Sequence, residues 1–129
     1  MRHAVNGLCL GGGCEMIINA DMVVAEEQEQ AVLALPEVRI GVVAVAGALT
    51  RLVRTVGRVR AMEMAITGRR VGALEARKWG LVNRVVGRGR GVEEAVEMAL
   101  SVVRNSPDSV VVSREGIKMG WEWRRGRCC

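Results

Sequence analysis

Val92, Val96, Ala99 and Val103 recur at steps of four, three and four, which lays an apolar stripe on one helical face and predicts a helix over 91–105. Ser106-Pro107-Asp108 then supplies a start signal for one more helix, through about Met119. Earlier, HAVNGLCL reads as a strand at the very start of the sequence. From Gly12, the spacing of Met16, Ile17 and Ala20 suits a short helix. DMVVAE follows as a strand and, after the polar patch EEQEQ, AVLALP as another. Helical patterns cover Gly47 to Val56 and Arg58 to Ile66, where Thr67-Gly68 gives the stop. ALEARKW is a further helix and GLVNRVV a short β-branched strand bounded by glycine. The tail GWEWRRGRCC shows no periodicity. No internal repeat or low-complexity linker interrupts the chain, so one α/β unit is the economical description.

The one break in the pattern is GLCLGGGCEM, where Gly11, Gly12 and Gly13 stand between a strand pattern and a helix pattern. Glycines at such a junction bring backbone N–H groups to a helix N-terminus without side chains in the way, and the helix dipole adds positive potential there. Contiguous glycines write neither GxGxxG nor a Walker loop, since no GK[ST] follows. Oxyanion duty, phosphate duty and a tight turn remain open. Glu15, in the first turn of that helix, suits the dipole as a cap, and Glu37, in LALPEVRIG, reads as a loop carboxylate beside solvent.

Composition narrows the alternatives. The 129 residues are 50% hydrophobic but contain no Phe or Tyr, so any core rests on aliphatic side chains, Met and Ala around Trp79, Trp121 and Trp123. The net charge of +5 is carried almost wholly by arginine, Lys78 and Lys118 being the lysines, and favours an anionic partner. Arg51, Arg54 and Arg58 share a helical face by spacing, yet no aromatic residues interleave with the arginines to stack bases, which argues against nucleic acid. His3 is the single histidine, which disfavours a His-based metal site or a Ser-His-Asp triad. Cys9, Cys14, Cys128 and Cys129 form neither a disulfide framework nor a zinc spacing and suggest a reducing, intracellular setting, with the organelle open. The longest uncharged stretch near the start, Ala4 to Cys14, is too short to span a bilayer.

AVNGLCLGGGCEM, PEVRIG, GALTRL, AMEMAITGRRV and GLVNRVV, in that order between Ala4 and Val86, together resemble the crotonase superfamily, the enoyl-CoA hydratases and isomerases. The resemblance implies an α/β fold: the C-terminal part of a crotonase-like ββα spiral core followed by helices, with a partial domain over 1–120 and an irregular tail over 121–129. It implies an acyl-CoA thioester substrate with no separate cofactor or metal, a role in fatty-acid β-oxidation, and a trimer-type homo-oligomer without a membrane or nucleic-acid partner. Gly12 would donate its N–H to the thioester oxygen, Gly11 and Gly13 would line the substrate, and Glu15 and Glu37 would be the two catalytic acids of a hydratase. Members with one of these acids commonly isomerise the double bond instead. Asn6, Gly7 and Asp21 are expected at turns or caps, Arg51 to pair with an acid, and Met62 and Met64 in the core.

The sequence also departs from the family pattern. The strands that normally precede AVNGL, with the other oxyanion donor and much of the CoA surface, have no counterpart, and the resemblance fades after Gly120, so a truncated or mis-predicted reading frame is expected. A non-catalytic chain that assembles with intact homologues is the corresponding alternative. EEQEQ looks longer than the family's link between the two acids, which displaces Glu37 unless the loop absorbs it, and GVVAVAGALT lacks the proline and double glycine often found there.

Overall fold

The computed structural model describes residues 2–123, with side chains through Trp121. The described residues divide into two compact units between Ala95 and Val96. In the first, HAVNGLCL is two strands, not one: β1 (Arg2–Val5) and β2 (Leu8–Leu10) lie in different sheets, with Asn6-Gly7 at the bend between them. β3 (Met22–Glu27) and β4 (Val32–Ala34) repeat that hand-over from the first sheet to the second.

The first sheet has the order β1-β3-β6, all parallel, with β6 at Arg84–Gly87. Its central strand carries Val23, Val24 and Ala25 consecutively, all buried, as expected of a parallel strand covered on both faces. The second sheet has the order β2-β4-β5; β2 and β4 are parallel, and the two-residue β5 (Val71–Gly72), which no sequence pattern announced, pairs antiparallel with β4. β6 begins four residues after the start of GLVNRVV, because Leu81 and Val82 turn into the core and Asn83 takes up the strand edge. Its side-chain oxygen accepts from Val23 N at 2.7 Å, and its own N–H donates to Val23 O at 2.8 Å.

Five helices cover the sheets or start from this unit: α1 (Gly12–Ile18), α2 (Ala48–Val56), α3 (Arg58–Thr67), α4 (Ala73–Trp79) and α5 (Gly91–Val103), the last crossing the boundary between the units. Gly57, at φ 84°, separates α2 from α3, so Arg58 opens a new helix rather than continuing the face of Arg51 and Arg54. With no large aromatics but tryptophan, the centre is built from Leu33, Leu35, Leu52, Met64, Val24, Val71 and Cys14, each fully buried. Met64 is thus a core residue as expected, whereas Met62 is exposed. Trp79 is buried, with the Arg60 and Arg69 guanidinium carbons 5.7 and 5.4 Å from its ring centroid.

Glu26, at the end of β3, is the second buried carboxylate besides Glu15 among the described residues. It accepts from Gly89 N at 2.9 Å and Gly91 N at 3.0 Å, which ties β3 to the start of α5. In the second unit, α6 (Pro107–Trp123) begins with proline at its first position and runs past Met119, so residues 120–123 of the aperiodic tail are helical; the rest of that tail lies outside the described residues.

Candidate active site

Gly11 is the N-cap of α1 and adopts φ 55°, ψ −124°, a conformation open to glycine and strained for other residues. Its N–H donates to Ala34 O at 3.0 Å, and its carbonyl accepts from Glu15 N at 2.9 Å. Gly11, expected among the substrate-lining residues, therefore has its donor engaged inside the fold. The next two glycines differ from it. A Cβ on Gly12 or Gly13 would meet nothing within 4 Å, and neither has a positive φ. As the first residues of α1 their N–H groups have no intrahelical acceptor, and among the described residues no other acceptor takes the Gly12 N–H.

Glu37 comes to this point from the second sheet. Pro36 opens a 3-10 helix, Pro36–Ile40, directly after β4, and the parallel register that sets Leu10 against Ala34 delivers Glu37 beside Gly11. Its Oε1 lies 3.2 Å from where a Gly11 Cβ would stand. Its Oε2 is buried with no hydrogen-bond partner among the described residues. Glu37 is thus half-buried against α1 rather than a solvent-side loop acid. Between β3 and β4 the EEQEQ segment folds into tight turns, with Gln28 N donating to Glu26 O and Ala31 N to Gln28 O.

Glu15 lies in the first turn of α1, four positions after Gly11, whose Cβ position faces Glu37 Oε1. It is 6% exposed, and its Oε1 accepts from Ala46 N at 2.9 Å. Arg51, expected to pair with an acid, lies instead over Gly47, its Nη1 2.6 Å from a Gly47 Cβ position. Cys14, next to Glu15 on α1, is wholly buried and hydrogen-bonded to the half-buried Cys9 of β2. That bond and burial push the Cys14 thiol far above its usual range, and the nearby Glu37 charge adds to the effect.

Beyond these groups, an open cleft of about 180 Å³ is bounded by β1, β2 and the exposed side of α1, with His3, Asn6, Leu8, Cys9, Gly13 and Met16 in its wall. Gly13 lines this cleft and neither glutamate does. Among the described residues no cluster of three metal-ligating side chains occurs, and no helix is long and apolar enough to cross a membrane. The arrangement joins an uncommitted N–H at a helix start to two acids in largely desolvated surroundings. A helix start of this kind can stabilise negative charge, and carboxyl groups can exchange protons. The Ala46 N–H, which Glu15 Oε1 accepts, carries no sequence signal because it is a backbone group, and Asn19 at the end of α1 reads as an ordinary helix end.

Residues 3–126 match the enoyl-CoA hydratase/isomerase family. The chain belongs to that family. It is 58% identical over 120 residues to the mevalonyl-coenzyme A hydratase of Beauveria bassiana and 54% identical over 119 residues to that of Aspergillus fumigatus. Each match covers 92% of this chain, but 42% and 43% of those proteins, so the chain spans about four-tenths of their length. Among solved structures, enoyl-CoA hydratase subunit I of Geobacillus kaustophilus superimposes with a TM-score of 0.89 at 37% identity, over 95% of this chain and 47% of that one. The two-sheet hand-over and the helices that follow are therefore the crotonase fold, and the family is an enzymatic one.

Proposed function

We propose that this chain carries the proton-handling half of a hydratase active site, acting on the bond between carbons 2 and 3 of an acyl-CoA thioester. The observation that carries this reading is the Glu37 Oε2, buried without a partner on the carboxylate whose Oε1 faces Gly11, the residue before the uncommitted Gly12 N–H. A desolvated acid with an unmet hydrogen bond is costly unless something outside the fold completes it.

In the proposed reaction the Gly12 N–H binds the thioester oxygen, where negative charge builds as water adds to carbon 3, so the donor favours the transition state over the ground state. One of Glu15 and Glu37 takes the proton of the attacking water and the other delivers a proton to carbon 2; dehydration is the reverse. Retention of both acids supports hydration over double-bond isomerisation. The names of the two relatives above 50% identity support mevalonyl-CoA, paired with the 2-enoyl thioester formed by loss of its 3-hydroxyl, as the substrate couple.

The test is hydration of that 2-enoyl thioester, followed by loss of the conjugated-thioester absorbance, by the chain alone and mixed with a full-length relative inactivated at its own acids. Glu15→Gln and Glu37→Gln, which keep size and shape, should each lower turnover by roughly 10²–10⁴-fold. Wild-type rates in both variants refute the assignment, and a rearranged double bond as the product favours the isomerase.

A further inference from the structure

Asn19 ends α1 in a helical conformation, φ −88°, and its backbone N–H donates to Glu15 O at 3.1 Å. Its side chain does more than cap. The Nδ2 donates to Glu15 O at 2.8 Å and to Ala46 O at 3.2 Å. The same Ala46 gives its N–H to Glu15 Oε1 at 2.9 Å. Both polar groups of one exposed loop residue are thereby held by α1, the carbonyl by Asn19 and the amide by Glu15. The hydrogen bonds close a ring from the Glu15 carbonyl through Asn19 and Ala46 back to the Glu15 carboxylate. Residues 43–46 make, among the described residues, no other hydrogen bond. The amide orientation is chemically forced: turned over, the Asn19 oxygen would face two carbonyl oxygens.

We infer that Asn19 is a positioning residue that fixes the Ala46 peptide so that its N–H orients the Glu15 carboxylate. The inference rests on Glu15 being one of the reacting acids. Its chemical logic is that a carboxylate with one oxygen held by a fixed amide presents the other in one direction, and misplacement of a reacting group by about 1 Å costs on the order of 10²-fold in rate. An alanine or leucine at position 19 could end the helix equally well but could not bridge two carbonyls, and a Cβ at the neighbouring Gly47 would lie 2.6 Å from Arg51 Nη1, so glycine is required where the loop joins α2.

Two readouts on the whole chain decide the matter, using Asn19→Leu, which keeps bulk, and Asn19→Asp, which keeps shape but has no donor. The first is hydrogen exchange and the proton shift of the Ala46 amide by NMR. In both variants exchange at Ala46 should quicken at least tenfold while amides of β3 are unchanged, and the shift should move to that found in Glu15→Gln. The second is kinetic: kcat should fall about tenfold with KM within twofold. Wild-type exchange at Ala46 in both variants overturns the inference, as does equal loss of protection throughout the fold or a change in KM alone. Should the wild-type chain show no turnover, the proposed reaction is what fails, and Ala46 exchange alone decides the clamp.

Discussion

Gly11→Ala tests the link between fold and site most directly. The residue sits at φ 55°, ψ −124°, and its backbone is anchored on both sides, by the bond to Ala34 and by the bond from Glu15 N, so it has little freedom to relax. Holding an L-residue in such a region costs about 1–3 kcal/mol. Alanine returns about 0.4–1 kcal/mol by narrowing the unfolded ensemble. The new Cβ would also lie 3.2 Å from Glu37 Oε1, so the carboxylate must yield by a few tenths of an ångström. The expected net loss is about 1–2 kcal/mol in urea unfolding, read as a lower midpoint at unchanged slope, together with a fall in any hydratase turnover. Gly12→Ala is the control: nothing lies within 4 Å and φ is not positive, so the fold should be unaffected or gain up to about 1 kcal/mol. If Gly11→Ala is as stable as the wild type, or if both substitutions destabilise alike, the distinction drawn between the two glycines is wrong.

Two further predictions concern the scaffold. Glu26→Gln turns an amide N–H₂ towards one of the two backbone N–H groups that its separate oxygens accept, and should destabilise the chain by about 1.5–3 kcal/mol in the same unfolding assay; Gly91→Ala, whose Cβ would approach Glu26 Oε1 to 2.9 Å, should do the same without changing charge. Trp79→Ala removes a buried ring together with two cation–π contacts and should cost about 3–5 kcal/mol, whereas Met62→Ala, on an exposed position of α3, should shift the midpoint little.

What the sequence made legible follows from which signals are local. The helices at Gly47–Val56 and Arg58–Ile66 were readable because apolar spacing and the glycines that close them lie within the segments themselves. β3 was readable because a strand covered on both faces needs an unbroken apolar run. HAVNGLCL misled because apolar alternation does not say to which sheet each half belongs; that is set by pairing with β3 and β4, twenty or more residues away. The two-residue β5 owes its pairing wholly to β4 and has too few residues for a period of its own. At the site, the acids and the glycine run stood out as residue types. The separation of Gly11, whose conformation the fold requires, from Gly12 and Gly13, whose bare backbones it does not, depends on dihedral angles and neighbours that no residue type records.

The tight turns over 28–31 carry a consequence for sequence drift. Since Glu37 is set beside Gly11 by the Leu10–Ala34 register and the Gly11 bond to Ala34, its place in space does not depend on how many residues separate it from Glu15 along the chain. Insertions and deletions in that connection are thus nearly invisible to the two carboxylates, while a one-residue slip between Val32 and Pro36 would carry Glu37 away from the helix start altogether.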